Sequence, residues 1–270
     1  MPDDVEAKQL SPEVRRELTT LDKATADYVA KHLVMAGDLL DEDPEAALEH
    51  ARAARNRASR IAAIREAVGI AAYHCGDWAQ ALSELRAARR MGSKSPLLAL
   101  IADCERGVGR PERAIELGRS PEAEQLTGDD ADELKIVLAG ARCDLGQAAQ
   151  ALALLSNPPL DSTRTGQTAA RLFYVYAETL LALGEAEKAS AVARQALGGT
   201  ASPTEQRTAW TVIGVSAFDR GQLAEAEQAF GEAIERAGSG TPQAADLAER
   251  RAVAIYKQGD AARTAGRMRE

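Results

Sequence analysis

"GDWAQAL", residues 76–82, reads as a turn followed by the first turns of an amphipathic helix, and the phrase returns along the chain. Related phrases are EDPEAAL (42–48), GRPERAI (109–115), GQAAQAL (146–152), GEAEKAS (184–190), GQLAEAE (221–227) and GDAARTA (259–265). With Ala81 as anchor, the equivalent residues are Ala47, Ala81, Ala114, Ala151, Ala189, Ala226 and Thr264, at spacings of 34, 33, 37, 38, 37 and 38. Twelve residues before them stand Met35, Gly69, Ala102, Ala139, Ala177, Gly214 and Ala252, six of the seven being Gly or Ala. Five residues before each anchor stands a glycine, except for Glu42 in the first unit.

One arrangement accounts for all three regularities: a helix, a tight turn and a second, antiparallel helix. The turn glycine supplies a positive φ and ends the first helix. The small residues let the two backbones approach, and small is expected to face small across the hairpin. The expected helix pairs are 24–40/44–57, 59–75/77–91, 96–107/111–118, 129–144/147–155, 166–182/186–197, 203–219/222–236 and 242–258/260–269. Pro44, Pro111, Pro121 and Pro203 stand at helix starts, with Ser120 and Ser202 as caps. Residues 156–167, 198–199 and 238–242 read as linkers, the first being the longest and the expected kink.

Composition agrees with a helical stack. The chain has 270 residues with 56 alanines and only 4% aromatics. Alanine loses no side-chain entropy in a helix, so the core is helical, thin and spread out. No apolar run is long enough to span a bilayer, and the acidic N-terminus lacks the apolar stretch of a secretory signal. Cys75, Cys104 and Cys143 form no C-x-x-C pair and read as reduced, buried thiols of a cytoplasmic protein. Net charge is −8, yet residues 50–119 hold 13 basic against 7 acidic side chains.

The alanine and glycine register resembles the tetratricopeptide repeat family, with small residues at the eighth and twentieth places of each hairpin. Trp210, Phe173 and Leu98 occupy the family's aromatic or leucine fourth place, while Arg65, Lys135 and Ala248 depart from it. The stretches HARAARNRASRIAAIREAVGIAAYHCGDWAQAL (50–82) and ADCERGVGRPERAIEL (102–117) look like those of actinobacterial members. The resemblance covers residues 22–270 and implies an all-α, right-handed superhelical array of about seven hairpins. Residues 1–21 are set apart as an acidic segment with a short helix over 11–21, either a cap on the array or a detachable arm that docks on a partner or a second copy.

The resemblance also implies a concave groove lined by the first helix of each hairpin. Its positions here are Glu66, Ile70 and Tyr73; Asp103 and Arg106; Ile136 and Cys143; Arg171, Tyr174 and Glu178; Thr211, Val215 and Phe218; Glu249 and Tyr256. Aromatics and charges there suit a partner's peptide or helix, or else pack between hairpins. The family's carboxylate clamp needs Lys and Asn at the fifth and ninth places, which here hold His32/Ala36, Glu66/Ile70 and Ala99/Asp103.

Arg52, Arg86 and Arg119 lie five residues after their anchors, and Arg55 and Arg89 eight after. Equivalent positions stack, so these arginines form a ladder that either binds nucleic-acid phosphates or is a solvated face balanced by Glu49, Glu84 and Glu116. Base-stacking aromatics are missing from it.

Catalytic motifs, metal-ligand spacings and cofactor fingerprints are missing too. His32, His50 and His74 are scattered, and His74 and Cys75, adjacent on a helix, point about 100° apart. Asp129, Asp130, Asp132 and Glu133 read as an acidic helix start. The expected function is a non-enzymatic scaffold that binds another protein, with RNA binding and homo-oligomeric assembly as alternatives.

Overall fold

The computed structural model describes residues 5–93, 96–157, 161, 163–197, 201–238 and 240–267, with side chains as far as 264. Among the described residues the chain is all-α, with fourteen helices and no strand. They are α1 (Pro12–Leu18), α2 (Lys23–Asp38), α3 (Pro44–Arg57), α4 (Ala62–His74), α5 (Trp78–Arg90), α6 (Leu98–Gly107), α7 (Pro111–Leu117), α8 (Gly128–Asp144), α9 (Ala148–Leu155), α10 (Gln167–Ala182), α11 (Ala186–Ala196), α12 (Pro203–Asp219), α13 (Leu223–Ala237) and α14 (Pro242–Arg267). None of the described helices is long and apolar enough to cross a membrane.

Contacts divide the chain into two units, residues 1–126 and 127–270. In the first, α2/α3, α4/α5 and α6/α7 are hairpins, each stacked on the next, with α1 lying against α2 and α4. In the second, α8/α9, α10/α11 and α12/α13 stack in the same way, and α14 packs on α13.

The turns follow from the glycines. Gly76, Gly109, Gly146, Gly184 and Gly221 all have φ between 70° and 78°. Each is followed by the same pair of closing bonds. At the first turn Gly76 N–H donates to Tyr73 O (3.0 Å) and Asp77 N–H to Ala72 O (2.9 Å), so carbonyls orphaned at the helix end are satisfied. Pro44, Pro111 and Pro203 open α3, α7 and α12, and Ser202 caps α12 in a reciprocal box with Glu205. Pro121 instead precedes a short 3₁₀ turn over Ala123–Gln125, where Ser120 Oγ accepts from Ala123 N–H (3.3 Å).

The anchors Ala47, Ala81, Ala114, Ala151, Ala189 and Ala226 are completely buried. Their partners differ from expectation. A Cβ on Gly69 would stand 2.7 Å from Leu85, and one on Gly214 2.7 Å from the Phe230 ring. The small residue of the first helix therefore makes room for the residue four after the anchor, and small meets large. Volume across the hairpin is what packing conserves.

The seventh hairpin is not formed: α14 runs unbroken through Gly259. Glycine inside a helix costs only about 1 kcal/mol, and residues 260–267 carry no large apolar side chain to reward a turn back. The end of the expected final helix, 268–269, lies outside the described residues, as do the linker positions 158–160, 162, 198–199 and 239.

Candidate functional site

An open cleft of about 960 Å³ lies in the first unit. Its apolar walls are Leu33 and Ala36 of α2 with Leu40 just beyond it, Ala63, Ala67 and Ile70 of α4, and Leu10 and Val14 at α1, with Met91 at the rim. Met91 is 43% exposed, a large apolar side chain left in water. Glu13, Arg16, Glu17, Arg60 and Glu66 give the cleft a charged border. Of the expected groove residues, Glu66 and Ile70 line it, and the Glu66 carboxylate accepts from Ser93 Oγ (2.8 Å).

Helix α1 builds one wall because it is tied down at both chemical levels. Leu18 is 4% exposed and packs with Val29, Ile61 and Ile64. Glu17 Oε2 accepts from Ala63 N–H (3.0 Å), placing a carboxylate at the N-terminus of α4, where the helix dipole favours it. Ser11 Oγ accepts from Val14 N–H and starts α1.

The remaining groove positions are mostly engaged within the protein. Tyr73 Oη donates to Asp103 Oδ2 (2.6 Å), Arg106 holds Asp103 Oδ1 (2.8 Å), and Trp78 stands edge-on to Tyr73, so α4 is tied to α6. In the second unit Arg171 pairs with Glu133 (2.8 Å), linking α10 to α8. Tyr174 is half-buried, and burial pushes its phenol above the usual range. Glu178 is exposed, Thr211 donates to the Arg207 carbonyl (2.8 Å) and Val215 is half-buried. Phe218 carries the Lys257 ammonium over its ring at 4.4 Å. Tyr256 stands 68% exposed on α14 and Glu249 is exposed. Ile136 is 7% exposed and belongs to the core beside Ala139 and Leu155.

The arginine ladder is a set of straps between hairpins. Arg52 donates to Gln80 (2.5 Å) and Arg55 to Glu84 (2.5 Å), while Arg86 pairs with Glu105 and Arg89 with Glu122. Arg119 is exposed and, among the described residues, has no ion-pair partner. The balancing acids come largely from the following hairpin rather than from the same helix turn. Glu84 and Glu105 are themselves buried, each between two arginines, Arg55 and Arg65 for one and Arg86 and Arg110 for the other. Arg65 and Lys135, which depart from the expected fourth place, are thus explained: Arg65 meets Glu84 at 2.8 Å and Lys135 meets Asp132 at 3.9 Å. Asp129 and Asp130 do open α8, but Asp132 is buried and takes Arg164.

Two histidines that look scattered in sequence meet in space. His32 Nδ1 and His50 Nδ1 stand 2.9 Å apart across the first hairpin. The register alone did not foretell it: one hairpin on, Glu66 holds the fifth place and bonds Ser93, while Glu84, three after the anchor, takes Arg65 of the fourth place. Among the described residues no group of three or more His, Cys, Asp or Glu is placed to hold a metal ion.

The thiols differ from one another. Burial pushes Cys104 up to about 12 and raises Cys75, while Cys143 is exposed and Cys75 only half-buried, contrary to the reading of three buried thiols. Since the thiolate is the reactive form, maleimide is expected to label Cys143 first, and Cys104 only as the chain unfolds. Peptide mapping after timed labelling checks the order; early labelling of Cys104 contradicts it.

No family model matches this chain, and no curated protein matches it. Solved structures do. A thermophilic tetratricopeptide repeat protein of Thermus thermophilus is 23% identical, with TM-score 0.54 over 71% of this chain and 97% of that one. Yeast Tom70 is 14% identical, TM-score 0.61, over 85% of this chain and 47% of its own. Cut9, solved in the APC/C hetero-tetramer Cut9–Hcn1, is 14% identical, TM-score 0.62, over 90% and 50%. The chain thus spans about half the length of the latter two. These likenesses show that the fold is that of tetratricopeptide repeat proteins.

Proposed function

We propose that this chain is a non-enzymatic scaffold that binds a peptide or helix of a partner protein, and that the cleft among α1, α2 and α4 is a principal docking site. The cleft carries the reading: an apolar trough with a charged border, lined by Glu66 and Ile70 as the groove register requires. Apolar stripes from more than one helix suit the apolar face of a segment laid between them. Tyr174, Phe218 and Tyr256 of the second unit are candidates for further contacts. Nucleic-acid binding through the ladder is disfavoured, because Arg55, Arg86 and Arg89 already hold carboxylates and have little charge left for phosphates. Residues 1–21 serve as a cap in this reading, since Leu18 is spent on the chain's own core. A cytoplasmic setting accords with three free cysteines.

The combined Val14→Asp and Met91→Asp variant is expected to lose partner capture by at least about tenfold, the scale of a desolvated apolar anchor. Affinity purification with mass spectrometry against the wild-type chain reads this, with circular dichroism as control for folding. An unchanged partner set in that variant, and in Tyr174→Ala with Phe218→Ala, overturns the proposal.

A further inference from the structure

We infer that His32 of α2 and His50 of α3 form a proton-sharing clasp, which holds the first hairpin closed near neutral pH and releases it when both rings are charged. The geometry is that of a hydrogen bond. The two Nδ1 atoms are 2.9 Å apart, and the ring centroids 4.9 Å with a 45° tilt. The centroid separation exceeds the nitrogen separation by nearly two ring radii, so the nitrogens lie between the rings and point at one another. A chelated metal ion needs lone pairs that converge on a point off that line, so the pair is built to share a proton.

Proton counting then gives the switch. With both rings neutral, one Nδ1 carries a hydrogen and the other offers its lone pair, each ring keeping the complementary tautomer at Nε2. With one ring charged, the bond becomes charge-assisted and strengthens. With both charged, each Nδ1 carries a hydrogen, neither can accept, and two like charges face each other at contact. The surroundings do not relieve this. The Tyr28 ring stands tilted against His32, with centroids 4.4 Å apart, and the Arg57 guanidinium is 5.0 Å from the Tyr28 ring. Lys31 and Glu49 adjoin the pair in sequence, yet neither ring has a carboxylate ion-pair partner among the described residues. Burial first, and the neighbouring His50 second, hold His32 below the usual imidazole range.

A depressed histidine means that the unfolded hairpin, titrating near 6.5, binds more protons than the folded one at mildly acidic pH. The cost falls on the second proton: the clasp holds above about 6.5 and its stability is lost as pH falls below that and the second ring is charged. Helix α2 also supplies Leu33 and Ala36 to the cleft, so acidification shifts one wall of it. That consequence rests on the docking reading; the clasp does not.

The test is an NMR titration of both imidazoles in the full chain, in chelator-treated buffer, with hydrogen exchange of the α2 and α3 amides. Two macroscopic steps separated by more than a factor of ten in proton affinity are expected, the second below pH 6.5. Amide exchange in α2 and α3 is expected to quicken at least tenfold on the second step, and not in His32→Gln or His50→Gln. A single step near 6.5 for both rings in the wild-type chain overturns the inference, even should neither variant fold. So does acid-quickened exchange that persists in folded variants. Neither readout involves a partner, so failure here is distinct from failure of the docking proposal.

Discussion

Arg86→Ala combined with Arg110→Ala is expected to destabilise the first unit by about 3–5 kcal/mol, the scale for stripping the counter-charge from a buried carboxylate. Glu105 is 1% exposed, on α6. Its Oε1 is held by Arg86, and Arg110 Nε stands 3.1 Å from Oε2, close enough to compensate charge although the atom has no aligned hydrogen bond. Water cannot replace the arginines there, so the carboxylate loses its partners without recovering solvation. The reverse deletion is milder. Arg86 and Arg110 are about half exposed, so with Glu105→Leu both guanidinium groups turn to solvent while an apolar side chain fills the site. Adding Glu105→Leu to the double arginine variant is therefore expected to restore most of the loss. Urea unfolding followed by Trp78 emission reads it, because the Trp78 ring lies where a Cβ on Gly107 of α6 would be, within 2.5 Å. A double variant within about 1 kcal/mol of wild type means that Glu105 does not need its cations.

Phe230→Ala is the second large effect, about 3–5 kcal/mol for an aromatic side chain removed from a close-packed core. Phe230 is 2% exposed and packs with Ala217, Ala226 and Ala233. Its ring fills the space that Gly214 leaves open, so Gly214→Ala alone is expected to cost about 1–3 kcal/mol by overpacking a rigid ring. The two losses are not expected to add. With Phe230→Ala present, Gly214→Leu puts volume back from the opposite helix, and the pair is expected to be more stable than Phe230→Ala alone. The first hairpin already has this reversed pairing in register, Met35 on one helix and Ala51 on the other. Trp210, which packs against the same cluster, reports unfolding here. Strictly additive losses in the four-member cycle contradict size exchange across the hairpin.

Six hairpins were legible in the sequence to within three residues at each helix end, because their signals are short-range. A glycine that needs φ > 0, a proline at the first helical position and an alanine of fixed spacing each act within one turn. Gly259 gave the same signal falsely: ending a helix there depends on whether the next segment has apolar surface to bury, and that is not a property of the glycine. Glu66 and Ile70, four apart on α4, were legible as sharing one face, since the faces of a helix follow from its period. Which of the expected groove positions stay free was not. Tyr73, Asp103 and Arg106 have the residue types of a binding surface, yet they are joined to one another across two hairpins.

By itself the sequence determined a helical hairpin of recurring length, the positions of six of its turns and the burial of the anchor alanines, because these depend on backbone sterics and helical period. Only the tertiary structure decided where charge is neutralised. Arg55 and Glu84 are 29 residues apart and Arg89 and Glu122 are 33 apart, so their pairing requires the stacking offset between hairpins. The His32–His50 contact and the cleft beside α1 depend on the same thing, the distance at which one packed helix holds another.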